Sequence, residues 1–408
     1  MTIKQQGKGL PFVVFFIPFL TDFAAMLLIF TVSRNLAELE VGLLWMGIVG
    51  AAHAFIASAS SFIFGRLSDR VGRAQVIVPG ILLLFASAFV CICVPFGHWL
   101  FLAMYWLGAF SLGLIHPATI AWINTGEERH SYGKSVSRNL IRFCIAWNLG
   151  VLSAQYSGGW LFLFGPNTPL ACAASIALLN LLVVLHIRYG GVASRWAMRD
   201  TDGDDKPAVP AAGDSLHGLS DTFVQLSWLA NLGGAFSVSM ILHLFPQLAV
   251  SLGVPPNQHG AILAMMRVVV ICVYVVLHHT DFWKYRYFST LAVQSIAVVG
   301  LFILFFAQEP IGLYLGVGGL AILTGFNYFS GIYYSNAGHQ DDQRGFASGM
   351  HEASLGLGIA AGSLCGGVAG SIGGERIPYV LAVIVILVLT GIQIALYTAR
   401  RAASRSGA

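Results

Sequence analysis

Twelve apolar runs, each close to the length needed to cross a bilayer, recur through the 408 residues. They lie at about 11–31, 42–64, 75–95, 98–120, 137–163, 168–188, 221–250, 259–279, 287–307, 310–334, 345–372 and 377–398. About 20 apolar residues in a helix span the hydrocarbon core, where backbone polar groups must be satisfied within the protein. The pattern therefore predicts an all-α membrane protein with twelve transmembrane helices. Composition agrees: 57% of residues are hydrophobic and 10% charged, against about 25% charged in soluble domains. That excludes an ordinary soluble enzyme, a nucleic-acid-binding protein and a disordered scaffold. Lys4 and Lys8 precede the first run as in a signal peptide, but the apolar part is long and no small-residue cleavage site follows, so an uncleaved first helix is expected.

Of the 22 Lys and Arg residues, eighteen fall on one side of this arrangement. Arg34 and Arg376 fall on the other, and Arg142 and Arg267 lie within spans. The positive-inside rule then places both termini in the cytoplasm of a multi-pass protein of the inner or plasma membrane. The longest polar stretch, with Asp200, Asp202, Asp204, Asp205, Lys206, Pro207 and Pro210, reads as a solvated linker. The expected organisation is a six-helix bundle over 1–189, a cytoplasmic linker over 190–220 and a second six-helix bundle over 221–408. The halves share sparse matches. Gly150 and Gly158-Gly159 recur at Gly358 and Gly366-Gly367, offset by 208, while Asn35-Leu36-Ala37 and Asp69 recur as Gln247-Leu248-Ala249 and Asp281, offset by 212. Together they favour a duplicated, pseudo-symmetric unit of the parallel-repeat kind.

Between the second and third runs the sequence reads Gly65-Arg66-Leu67-Ser68-Asp69-Arg70-Val71-Gly72-Arg73. The glycines permit a tight reversal, and the charged residues can pair across a helix interface. This segment resembles the signature loop of the major facilitator superfamily, a transporter family of two six-helix bundles. The resemblance implies a conformational latch at Gly65, Asp69, Arg70, Gly72 and Arg73, with His351 and Glu352 of the eleventh span within reach of it. The corresponding segment of the second half, His278-His279-Thr280-Asp281-Phe282-Trp283-Lys284, keeps the aspartate and loses the glycines. Two features depart from the family's patterns, the first from that of many proton-coupled members and the second from that of its antiporters, and together they make drug export by proton exchange less favoured. Met104 stands where a fourth-span arginine precedes a glycine, and Ala154-Gln155 replaces Gly-Pro before Gly158-Gly159 in the fifth span.

An ionised group at the bilayer centre costs about 2.5–3.5 kcal/mol on insertion scales, so it should face a cavity or a partner. Asp22, near the middle of the first span, is the leading coupling or substrate group; a structural carboxylate is its other reading. Arg267 can bind an anionic cargo or hold a carboxylate ionised. Arg142 lies near enough to the interface to snorkel. His53 and His116 are mid-span imidazoles able to relay protons or to serve as hydrogen-bonded structural groups. Asn148 and Asn327 are amides suited to a cavity, with Trp147, Gln155, Phe326, Tyr328 and Phe329 nearby in sequence.

These readings converge on a secondary transporter that moves a small solute by alternating access, with proton coupling and a cargo of organic-anion, sugar or drug-like type. The alternative is a transport-inactive membrane sensor or scaffold. No catalytic set, metal site or cofactor motif is legible, since the six cysteines lack paired ligand spacing and His278, His279 and Asp281 read as a solvated loop. The expected partners are a small-molecule substrate, protons and the lipid bilayer, without nucleic acid, for a monomer.

Overall fold

The computed structural model describes residues 12–123, 134–189, 214–337 and 341–406. After a short 3-10 turn at Phe12–Phe15, the helices are α1 (Phe16–Glu38), α2 (Leu43–Val71), α3 (Arg73–Cys93), α4 (Trp99–Ile123), α5 (Lys134–Phe162) and α6 (Asn167–Tyr189). The second half contains α7 (Asp214–His243), α8 (Phe245–Ser251), α9 (Pro256–His279), α10 (Tyr287–Phe306), α11 (Pro310–Ala337), α12 (Asp341–Gly373) and α13 (Ile377–Ser406). Residues 190–213 lie outside the description. The expected linker is helical from Asp214 onward, because α7 starts before its apolar stretch does.

Ten of the described helices are individually long and apolar enough to cross a membrane. Helices α7 and α8 form a further span bent by 41°. Pro246 supplies the bend: it has no N–H to donate to the preceding turn, so it starts a new helix instead. The twelfth span, α5, carries Asn148, Gln155 and several serines and is too polar for that criterion. It is packed between α1 of its own half and α9 of the other, so it meets protein more than lipid.

Helix contacts repeat with a pseudo-two-fold pattern. In the first half α1 packs on α5 and α6, α2 on α4, and α3 on α4 and α6; in the second, α7 packs on α12 and α13, α9 on α11, and α10 on α11 and α13. The halves meet through α2 with α12 and α5 with α9, again an equivalent pair. The fold is thus twelve transmembrane helices in two six-helix bundles.

The glycine matches acquire a physical reason here. A Cβ on Gly150 would strike the backbone of Phe19 in α1, and one on Gly358 would strike that of Leu232 in α7. Nine residues on in each half, Gly159 abuts Gly260 of α9, and Gly367 abuts Gly47 of α2. Small residues let membrane helices approach closely, and the same pair of contacts is needed once per half.

The Gly159–Gly260 and Gly47–Gly367 contacts lie at the face where α2, α9 and α11 begin, hereafter the far face. The opposite, linker face carries the start of α1 and the end of α6. At the far face the halves are in backbone contact. Toward the linker face Glu352, in the first half of α12, is exposed between the halves.

Candidate functional site

Six helices converge on one cluster midway between the halves. Asp22 of α1 is 2% exposed, and its Oδ2 lies 3.2 Å from Nε2 of His116 in α4. Pro117 follows His116 within α4. On the opposing half, Tyr328 of α11 donates its hydroxyl to Oε1 of Glu352 in α12 at 3.3 Å. His116 is near enough to Glu352 to feel its charge, and Arg267 of α9 feels that of Asp22. The ionic groups therefore run Arg267, Asp22, His116, Glu352: an Asp–His pair from the first half flanked by one group of each sign from the second.

Aromatic rings close the cluster. Trp147 of α5 meets Tyr328 edge-on with ring centres 5.5 Å apart. Tyr274 of α9 lies 6.3 Å from Tyr328 and 5.7 Å from Phe329. Tyr274 follows Arg267 by seven residues, two turns along the same face of α9. That spacing is a signal the sequence contains, yet only the fold ties it to Trp147 and Tyr328.

The structure places the other candidates as follows. Asn148 is buried, donates Nδ2 to the Cys144 carbonyl at 2.9 Å and leaves Oδ1 unpaired. Asn327 donates Nδ2 to the Ala230 carbonyl at 2.7 Å, tying α11 to α7. His53 makes its ring contacts with other residues: its ring centre lies 4.7 Å from that of Tyr105, tilted by 32°, and 6.5 Å from that of His243 in the second half. Arg142 is exposed on α5 and makes no hydrogen bond or ion pair among the described residues. His351 packs its ring on Tyr328 at 5.3 Å, and its carbonyl accepts Asn231 Nδ2 at 3.1 Å, so both it and Glu352 sit with the central cluster.

In the loop after α2, Gly72 has φ +99°, a conformation that favours glycine, and its N–H donates to the Ser68 carbonyl at 3.1 Å. Gly65 rests against Pro117, Arg70 is exposed and Arg73 is half-buried and engaged. The Asp69 side chain lies outside the description. In the equivalent loop of the second half, Lys284 and Asp281 form an ion pair, and the buried Trp283 donates Nε1 to the carbonyls of Leu277 and Thr280, each at 2.9 Å.

One residue corrects the sequence reading. The apolar pattern puts Arg34 in the loop beyond the first span, but α1 continues to Glu38 and buries it. Its Nε donates to Glu38 Oε1 at 2.8 Å, an i,i+4 pair that carries the helix past its apolar stretch. No cluster of three or more His, Cys, Asp or Glu side chains suited to a metal ion occurs among the described residues.

Three solved structures share this fold across 94% of the chain. A nucleoside transporter, NupG, solved as a single-residue variant, aligns with TM-score 0.65 at 14% identity and is covered completely. A POT family transporter in complex with 5-aminolevulinic acid aligns with TM-score 0.67 at 12% identity over 96% of its length. The human organic anion transporter MFSD10 (TETRAN) aligns with TM-score 0.58 at 16% identity over 98% of its length. No curated protein matches the sequence. The sequence pattern that defines the Major Facilitator Superfamily matches residues 12–340. With two bundles related by a pseudo-two-fold pattern and that match over most of its length, the chain belongs to the major facilitator superfamily, a family of membrane transporters.

Proposed function

We propose that the protein is a proton-coupled secondary transporter that carries a small polar organic solute by alternating access, with His116 and Asp22 as the proton-handling pair. The observation that carries this reading is the position of His116, which contacts the Asp22 carboxylate of its own half and lies within electrostatic range of Glu352 on the other. A proton on His116 turns the Asp22 hydrogen bond into an ion pair and presents a cation to Glu352 across the boundary between the halves. Loss of that proton removes this longer-range attraction and weakens the link between α4 and α12. Proton occupancy thereby biases the equilibrium between conformations that join and part the halves.

The backbone contacts at the far face and the solvent-exposed Glu352 fit a state closed on the far side and accessible from the linker side. With the linker in the cytoplasm, as the positive-inside rule requires, this is an inward-facing state of a monomeric carrier in the inner or plasma membrane. In this reading the halves are 1–189 and 221–408, and the loop from Gly65 to Arg73 is the latch. Nucleosides, 5-aminolevulinic acid and organic anions, named for the three structural neighbours, have only small polar organic character in common.

The test is uptake into proteoliposomes under an imposed pH gradient, using the solute that most raises thermal stability in a screen of sugars, organic acids, amines and nucleosides. Uptake accelerated by the gradient, with the acceleration lost in His116→Gln and Asp22→Asn, is the expected result. Uptake indifferent to the gradient in the wild-type protein would refute proton coupling.

A further inference from the structure

Resting on the transporter reading above, we propose that the cargo is amphoteric, carrying an anionic group met by Arg267 and a cationic group met by Glu352. Arg267 is 4% exposed near the middle of α9 and makes no hydrogen bond or ion pair among the described residues; its Nε is buried and unpaired. Asp22 is close enough to be felt, but its carboxylate is in contact with His116 instead. A guanidinium presents five donors in a planar fork suited to a carboxylate or phosphate. Leaving such a cation buried and unpaired is costly. An oxyanion from a cargo supplies the missing partner.

Glu352 presents the complementary need. It is exposed between the halves, and among the described residues its one hydrogen bond comes from Tyr328. A carboxylate offers about four acceptor positions, so most of its capacity is open to the space between the bundles. The Tyr328 ring lies beside it, with Trp147 at 5.5 Å and Tyr274 at 6.3 Å, a setting in which a carboxylate and aromatic faces together favour an organic cation. The charge pattern leads to the same cargo. Asp22 has His116 as its contact partner and forms an ion pair with it whenever the ring carries a proton, which leaves Arg267 and Glu352 as one positive and one negative pole, both on the second half. A molecule with both charges neutralises both poles, whereas an anion alone leaves Glu352 unmet and a cation alone leaves Arg267 unmet. Tyr274 marks the path between the poles, two turns or about 10 Å of helix rise from Arg267 and one ring from Tyr328.

The experiment compares matched triads with the purified full-length protein by thermal shift and calorimetry. Each triad is a zwitterion, its deaminated acid and its decarboxylated amine: phenylalanine with 3-phenylpropionate and 2-phenylethylamine, 6-aminohexanoate with hexanoate and pentylamine, and alanyl-phenylalanine with its two singly charged analogues. Expected is at least one zwitterion binding tenfold or more tightly than both relatives. Arg267→Gln should weaken the zwitterion and the acid about tenfold to a hundredfold and spare the amine, with Glu352→Gln giving the converse. The proposal is overturned if no zwitterion outperforms its singly charged analogues in the wild-type protein, a comparison that needs no variant to fold. Zwitterion binding without any flux in proteoliposomes would keep this site and remove the transport reading. Gradient-driven uptake of a singly charged solute, with no zwitterion preference, would remove the amphoteric cargo alone.

Discussion

Substituting the far-face glycines should move the transporter between its states rather than merely loosen it. A Cβ on Gly159 would stand 2.5 Å from the Pro256 carbonyl oxygen and 3.0 Å from Asn257 Cα, and one on Gly367 would stand 2.8 Å from both Gly47 Cα and the Leu43 carbonyl oxygen. Ordinary contact begins near 3.4 Å, so the shortfalls are about 0.9 and 0.6 Å, against backbone that cannot rotate away. Overpacking of this kind costs about 1–3 kcal/mol. The cost arises only while the far face is closed, because the opposed glycines belong to different halves and separate when it opens. A penalty of about 1–3 kcal/mol on one of two states is a population shift of about 5- to 150-fold.

The same helices supply the control. Alanine at Gly150 or Gly358 collides with α1 or α7 of its own half, a contact that rocking of rigid halves leaves intact. Gly150→Ala and Gly358→Ala should therefore lower thermal stability without changing the balance of states. The assay is distance measurement between spin labels at Leu39 and Ile372, exposed positions near the far ends of α1 and α12. The exposed native Cys93, Cys272 and Cys365 would first be replaced. Gly159→Ala with Gly367→Ala should lengthen the mean label distance in nanodiscs, and the Gly150 and Gly358 variants should not. If all four variants lose stability alike and the distance distribution stays fixed, the far-face contacts do not distinguish states and the reasoning is wrong.

Three further outcomes are expected. Asp22→Asn should retain solute exchange at equal pH while losing its response to a pH gradient, measured by counterflow against gradient-driven uptake; a variant with wild-type pH dependence would remove Asp22 from coupling. Trp283→Ala should destabilise the protein by about 3–5 kcal/mol, read as a fall in unfolding temperature, because the indole is 1% exposed, packs on Phe326, Phe329, Tyr333 and Tyr334, and ties the α9–α10 loop through two carbonyl bonds. Asn180 donates to Thr21 Oγ1 at 2.8 Å and so joins α6 to α1; a double-mutant cycle at Asn180 and Thr21 should give a coupling of about 0.6 kcal/mol and below about 1.7, the range for such bonds in membranes.

What the sequence could disclose followed from which forces act locally. Span positions were legible because lipid demands apolar residues over a fixed length whatever the helix neighbours are, and even the polar α5 stood out as a run. Helix ends were less so: α1 overruns its apolar stretch to Glu38 because Arg34 pairs one turn ahead, and α7 starts inside the expected linker. The glycine offsets of 208 were visible as coincidence, and their cause, backbone contacts made once per half, required the helices to be side by side. The candidate site was legible as a set of costly residue types. Asp22, His116 and Arg267 could each be singled out because an ionisable group in hydrocarbon needs a partner, but which partner is a matter of three-dimensional proximity. Asp22 and His116 are 94 positions apart, and no periodicity relates α1 to α4. Glu352 shows the same limit more sharply. Its distance from the end of α12 suggested the basic loop, whereas the rotation of the helix, which sequence spacing does not fix, turns it to Tyr328.

That rotation bears on how the two halves divide their work. Among the described residues, the close contacts of the ionic groups Asp22 and Glu352 each stay within one half: Asp22 with His116 in the first, Tyr328 with Glu352 in the second. Across the boundary the charges act at longer range, Arg267 on Asp22 and Glu352 on His116. Two halves that must separate during transport are poorly served by direct ion pairs across their interface, since parting such a pair in low dielectric is costly. In the proposed mechanism, longer-range attraction, adjusted by a single proton on His116 and completed by the charges of the cargo, would hold the halves together without locking them. Hydrogen-bonded contacts kept within each half let each move as a body, and the far-face glycines then set how closely the bodies meet.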